Sequence, residues 1–328
     1  MNLPVQKENF VRIGDTNGFF VYEQTAYKDI SMNELLDIWL EFKKNRIKIS
    51  SWAHYRRVVE KNLKPLFEGK TTGSLTREDI LKTADSLLQK YAVSSTANIM
   101  TITNQIIQFM CDNDYAFKSP RANIRLPSQV KPRPKVFTLE EQKEIVKYLS
   151  SDTNLTKMGL TLCLFTGLRI GELCGLQWRD IDFDSNIIKI DRTVQRISDG
   201  SGHTYFIAGT PKTVHSEREI PLPKFLADVI KPFESEKTDF VLSGKKKFIQ
   251  PRTCENRYKK MLRDCGIPER KFHTLRHTFA TRAIELGFDP KSLSEILGHS
   301  NVKTTLDLYV HPSVEQKKKE MERFSAIF

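Results

Sequence analysis

The sequence has no apolar run long enough to cross a bilayer: MGLTLCLFTGL, its longest apolar-leaning stretch, falls far short of the roughly 20 residues a span needs. The first residues, MNLPVQKENF, have no apolar h-region of the kind a secretory leader carries. These absences predict a soluble, cytoplasmic protein with no membrane partner. Cysteine is scarce as well. Cys111, Cys163, Cys174, Cys254 and Cys265 are odd in number and form no CxxC pair, which argues against a disulfide framework and against a zinc site, and leaves reduced, mostly buried thiols. No metal ligand cluster and no cofactor motif stand out, and no internal repeat suggests a solenoid. Acidic charge is in deficit: 40 Asp and Glu face 52 Lys and Arg, a formal net charge of +12, and such an excess calls for a polyanionic partner.

At 328 residues the chain is long enough for two domains. Residues 1–30 mix glycine, aromatic and polar residues without clear periodicity, and Lys7, Arg12 and Lys28 against four acidic residues make them slightly acidic, an N-terminal extension. SMNELLDIWLEFKK then opens with Ser31 and Glu34 at capping-box spacing and continues with Leu35, Leu36, Trp39, Leu40 and Phe42 as an apolar face. WAHYRRVVEKNLKPLF, TREDILKTADSLLQKY and STANIMTITNQIIQFMCD predict further helices, so residues 31–117 read as an all-helical domain. Residues 118–137 form a proline-rich linker in which Lys118, Arg121, Arg125, Lys131, Arg133 and Lys135 meet no acidic residue. Part of that segment is a solvated connection, and its unopposed charge also suits a strap along a phosphate backbone.

From Thr138 a capping signal opens a second domain, residues 138–312. LTKMGLTLCLFTGLRIGELCGLQW reads as two helices broken at Gly167, DIDFDSNIIKIDRTVQR and TYFIAGTPKTVHSEREIPLP read as strands around the turn SDGSG, and helices follow. The expected fold class is mainly α with one small antiparallel β-sheet (α+β). HTLRHTFATRAIELG reads as a helix with Leu275, Phe279, Ala283 and Leu286 on its apolar face, and it places His273, Arg276 and His277 together near its start.

HTLRH is accompanied by TGLRIGEL (166–173), TPKT (210–213), LGHS (297–300) and NVKTTLDLYVH with Tyr309. Singly, each has an ordinary reading: a solvated arginine, one surface lysine among many, a capped histidine, a half-buried aromatic. In this order and combination, over roughly residues 30 to 312, they closely resemble the tyrosine recombinase, or phage integrase, family, and within it the integrases of phages and conjugative transposons. The resemblance implies a helical SAM-like core-binding domain and a catalytic domain forming a C-shaped clamp on double-stranded DNA. It implies strand cleavage and rejoining through a 3′-phosphotyrosine, without metal, cofactor or ATP, for integration or excision of a mobile element at the bacterial nucleoid.

By the same resemblance Tyr309 is the nucleophile and Arg169 and Arg276 clamp the phosphate, a task suited to planar, permanently charged forks. Lys212 is the general acid, with Lys189 nearby in sequence as a competitor. His273 orients the phosphate and helps take the tyrosine proton, and His299 donates a hydrogen bond to a phosphate oxygen. Glu172 is expected to pair with a basic group or cap a helix, and His277 to support its neighbours. Arg56, Arg57, Lys61 and Lys64 are candidate DNA contacts beside the basic linker. A homotetramer on paired sites is implied, with an accessory DNA-bending or excision factor and a tail, residues 313–328, exchanged between subunits or packed in cis. The slightly acidic N-terminal extension makes binding of accessory arm sites doubtful. Readings as a type IB topoisomerase-like enzyme, a chromosome-dimer-resolving recombinase or a silent DNA-binding regulator remain open at this stage.

Overall fold

The computed structural model describes residues 5–16, 19–116, 118–128, 134–198, 204–209 and 217–310, with Lys318, Met321, Glu322 and Ser325 of the tail, and side chains from Tyr27 onward. The expectations for Lys131, Arg133 and Lys212, and for most of the tail at residues 313–328, fall outside the described residues. Contacts divide the chain into two compact units, residues 1–131 with 197–204 and residues 132–196 with 205–328.

In the first unit the segment read as aperiodic is an antiparallel pair, β1 (Val5–Thr16) and β2 (Phe19–Asp29), running from Val5 opposite Asp29 to Thr16 opposite Phe19. The signal passed over was Asn17-Gly18 between two stretches rich in aromatic and branched residues, a strong sequence mark of a hairpin. Four longer helices follow. In α1 (Met32–Lys44) the Ser31 hydroxyl accepts the Glu34 N–H at 3.1 Å, and Leu35, Leu36 and Trp39 are fully buried. Phe42 departs from the expected apolar face: it is 38% exposed, with the Arg46 guanidinium 3.8 Å above its ring. α2 (Ile49–Val58) runs through a wider π turn, Val59–Leu63, into the short α3 (Lys64–Leu66), where Pro65 removes a helical donor. α4 (Arg77–Lys90) starts in a reciprocal capping box of Thr76 and Asp79, and α5 (Val93–Asp112) completes the bundle with Ile102, Ile106 and Met110 inside.

The second unit opens with α6 (Leu139–Ser150), capped by Thr138 and Glu141, and α7 (Leu155–Thr166), which is buried along nearly its whole length. Gly167, at φ 67°, ends α7 in the left-handed conformation, and α8 (Ile170–Gly175) follows. The strands do not make one sheet, as the sequence suggested, but two. β3 (Ile181–Asp182), β4 (Ile187–Ile190) and β7 (Arg218–Pro221) form an antiparallel three-stranded sheet, with Ile188 opposite Ile181 on one side and Ile220 on the other. β5 (Thr193–Ser198) pairs separately with β6 (Thr204–Gly209).

Helices α9 (Lys224–Ile230), α10 (Pro251–Asp264), α11 (Thr274–Glu285), α12 (Pro290–Leu297) and α13 (Val302–Tyr309) complete the unit. Its core gathers Phe137, Met158, Leu162, Trp178, Ile188, Leu226, Tyr258 and Leu275. Leu286 is not part of the buried stripe: it caps α11 and is 79% exposed, one residue past the point where the helical period applies. Cys163, Cys174 and Cys254 are buried thiols, and Cys111 and Cys265 are half-buried. No helix among the described residues is long and apolar enough to cross a membrane.

Gly167 is irreplaceable on two counts. An added Cβ would lie 2.7 Å from Phe279 Cδ1 and 2.8 Å from Leu297 Cδ2, in a conformation L-residues avoid. Gly167→Ala is therefore expected to cost about 2–4 kcal/mol, left-handed strain plus overpacking, seen as a lowered urea midpoint; an unchanged midpoint would contradict the turn described here.

Candidate active site

Five elements, α8, β7, α11, α12 and α13, bring the polar residues together. Arg169 is the residue before α8, and Glu172, three residues on, accepts its backbone N–H at 2.9 Å and its Nη1 at 2.6 Å. The same carboxylate takes both Nη atoms of Arg218, from β7, at 3.0 and 2.9 Å. Glu172 thus both caps a helix and pairs with basic groups. Burial works against its charge, but Arg218 and Arg169 hold the carboxyl down to about 2.

Arg276 enters from the first turn of α11 and is 1% exposed. Its Nη1 donates to Gly167 O at 3.0 Å and its Nη2 to Leu297 O at 2.7 Å, while Nε is buried without a partner. Burial, together with the charge of Arg169, pushes this guanidinium down to about 9, still cationic at neutral pH. Arg169 Nη2 reaches Gly298 O at 3.0 Å, and its side chain keeps 35% exposure, so an entering anion can meet it. His299 follows Gly298, with Nδ1 2.8 Å from the Thr305 hydroxyl, and burial followed by the charges of Arg276 and Arg169 lowers it to about 3.

Tyr309 ends α13 and is 7% exposed, against Ala280, Ala283, Leu293 and Leu297. Its hydroxyl lies 2.6 Å from Nδ1 of His277. Burial raises the phenol, opposed by Arg276 and Arg169; burial and Arg276 lower His277. The resemblance implies that His273 helps take the tyrosine proton. His273 stands edge-on to His277, ring centroids 4.6 Å apart, and the ring within hydrogen-bonding distance of the phenol is that of His277. Burial, then the charges of His277 and Arg276, lowers His273 to about 4.

The described residues therefore unite Arg169, Glu172, His273, Arg276, His277, His299 and Tyr309. Lys189, the competitor of Lys212, sits on β4 with a 67% exposed side chain 3.7 Å from Glu219. Arg218 was missed. Nothing in REIPLP distinguishes a buried arginine from a solvated one, and only the pairing of β7 with β4 carries it inward.

In the first unit Arg57 and Lys61 are exposed and line a hollow with His54, Tyr91, Ser95 and Asn98, where His54 Nε2 meets Asn98 Oδ1 at 2.8 Å. Arg56 covers the Trp52 ring at 5.4 Å. Lys64 is paired with Asp37 at 2.7 Å and with Glu60 at 3.0 Å. Lys118, Arg121, Arg125 and Lys135 are exposed.

Comparison with known proteins follows the same division. Residues 31–88 match the phage integrase N-terminal SAM-like domain, and residues 135–316 match the phage integrase family. The chain is 27% identical to a XerC-like tyrosine recombinase of Caldanaerobacter subterraneus subsp. tengcongensis, over 98% of this chain and 88% of the relative. It is 24% identical to the ICEBs1 integrase of Bacillus subtilis, over 90% and 82%. Its fold is similar to that of the Tn1549 transposon integrase in complex with a circular intermediate DNA (TM-score 0.73, 20% identity, 90% of this chain and 99% of that one). It is also similar to that of a lambda integrase tetramer bound to a Holliday junction (TM-score 0.63, 15% identity, 86% and 78%). With a match that spans more than half its length, the chain belongs to the phage integrase family.

Proposed function

We propose that the protein is a site-specific recombinase that cuts and rejoins double-stranded DNA through a phosphotyrosine on Tyr309, and that it integrates and excises a mobile element. The observation that carries this reading is the Tyr309 hydroxyl on His277 in one cluster with Arg169, Arg276 and His299. The phenol oxygen attacks phosphorus, the bond to the 5′ oxygen breaks, and a 3′-phosphotyrosine and a free 5′-hydroxyl result. The tyrosine proton passes to Nδ1 of His277, a ring whose neutral form burial and the Arg276 charge favour. Arg169 and Arg276 oppose the charge that gathers on the phosphorane, His299 hydrogen-bonds one of its oxygens, His273 orients the phosphate, and Lys212 protonates the leaving oxygen. Because the phosphotyrosine conserves the bond, attack by another 5′-hydroxyl reverses the step without ATP.

Arg56, Arg57, Lys61 and the exposed basic residues Lys118, Arg121, Arg125 and Lys135 supply phosphate contacts. Likeness to ICEBs1 and Tn1549 integrases supports the mobile-element role, and the lambda integrase tetramer supports a synaptic tetramer for this chain. An accessory DNA-bending or excision protein and passage of residues 313–328 to a neighbouring subunit complete the proposed assembly.

Tyr309→Phe is expected to bind duplex DNA normally and to give no covalent adduct on a nicked suicide substrate; an adduct from that variant would refute the nucleophile. Arg169→Lys keeps a charge but loses the fork, and its single-turnover cleavage should fall about 10²–10³-fold at nearly unchanged affinity. Cleavage near the parental rate would mean that the phosphate sits elsewhere.

A bound phosphate also cancels part of the positive field that, after burial, keeps His299 at about 3 and His273 at about 4. Their pKa values rise in the complex, so binding takes up protons, and the gain in affinity is present at acid pH and lost as pH rises through the complex's values. Calorimetry in buffers of different ionisation enthalpy between pH ~4 and pH ~5 should detect net uptake, smaller in His299→Asn; no uptake in that window would contradict a phosphate beside these rings.

A further inference from the structure

Three arginines close the C-terminus of α12. A helix leaves its last carbonyls without N–H partners and gathers negative potential there. Here Ile296 O accepts from Arg218 Nε at 2.6 Å, Leu297 O from Arg276 Nη2 at 2.7 Å and Gly298 O from Arg169 Nη2 at 3.0 Å, so successive carbonyls are held by different arginines. His299 is the next residue. Arg169 and Arg276 already have parts in the reaction proposed above; Arg218 has none.

Its surroundings suit a charge-balancing part. The Arg218 side chain is 5% exposed and meets Glu172 through both Nη atoms, while Glu172 also holds the backbone and Nη1 of Arg169. A phosphodiester carries one negative charge, and the phosphorane formed by attack of a phenolate carries two. With Glu172 matched by Arg218, Arg169 and Arg276 leave two positive charges for that phosphorane. Without Arg218, the buried carboxylate would draw on Arg169 and the balance would fall to one. The route is also sterically reserved: Gly298 lies at φ 64°, and a Cβ there would stand 3.0 Å from Arg218 Cδ.

We propose that Arg218 is a positioning residue for DNA cleavage: it answers the charge of Glu172 and pins Ile296, so that Arg169 keeps its charge for the phosphate and His299 keeps its place. The inference rests on the reading of the site given above. Arg218 does not touch the reacting atoms; it acts through Glu172 and the end of α12.

The test measures single-turnover cleavage of a nicked suicide substrate and duplex affinity by gel shift, at a temperature where circular dichroism finds each variant folded. Arg218→Met should cleave about 10²-fold more slowly, the scale of losing one transition-state donor, with affinity unchanged. In a Glu172→Gln background the same substitution should cost less than about tenfold, because no carboxylate is then left to compete for Arg169. Removing one partner of a buried ion pair can unfold a protein. Arg218→Lys, which keeps a cation against Glu172 but loses the fork and the Ile296 bond, then decides: about tenfold slower cleavage at parental affinity supports the proposal. Parental cleavage by either folded Arg218 variant, loss of affinity in step with cleavage, or an undiminished deficit in the Glu172→Gln background would overturn it. An adduct formed by Tyr309→Phe would instead defeat the reading of the site itself, so the two failures are distinguishable.

Discussion

Everything in the catalytic unit depends on holding several guanidinium groups close together away from bulk water. Two like charges about 4 Å apart repel by about 4 kcal/mol even at an effective dielectric constant of 20. The fold meets this with the oxygens of one buried carboxylate and the open carbonyl end of one helix. Glu172 takes Arg169 and Arg218, and the last carbonyls of α12 take Arg218, Arg276 and Arg169 in turn. The arrangement binds α8, β7, α11 and α12 to one another through polar contacts.

That requirement explains the backbone around it. Gly167 and Gly298 are both left-handed, each at the end of a helix, and each presents a carbonyl to an arginine: Gly167 to Arg276, Gly298 to Arg169. A side chain at either place would push against Phe279 and Leu297, or against Arg218. Helix termination and charge capture are one device here, because the residue that ends the helix also frees the carbonyl the arginine needs. Arg218 projects from the three-stranded sheet, Arg276 from the first turn of α11, and Arg169 from the turn between α7 and α8.

The local parts of this design were legible in the sequence. Thr76 with Asp79 and Thr138 with Glu141 announce helices because a capping box is closed within four residues, and Gly167 marks a break because few other residues tolerate its conformation. The hairpin of residues 5–29 was readable from Asn17-Gly18 but lacks clean alternation, so the period hid it. What escaped was long-range. The division of the strands into two sheets depends on β4 choosing β7, whose sequence lies far away, and Arg218 becomes part of the site only through that choice. The roles of His273 and His277 could not be divided from HTLRH alone, since residues four apart share a helix face; the position of α13 decides which ring meets Tyr309.

The same geometry accounts for the protonation states the chemistry asks for. Burial and then neighbouring arginine charge lower His299 and His277, so in the proposed reaction the positive charge facing the phosphate is carried by arginines that stay cationic at neutral pH, and the imidazoles remain able to accept a proton. A protonated His277 would have no lone pair on Nδ1 for the phenol. Fixing charge on arginine and leaving proton transfer to neutral imidazole separates electrostatic stabilisation from acid–base work. That separation holds only while Glu172 stays ionised and paired, which returns the whole site to its one buried carboxylate.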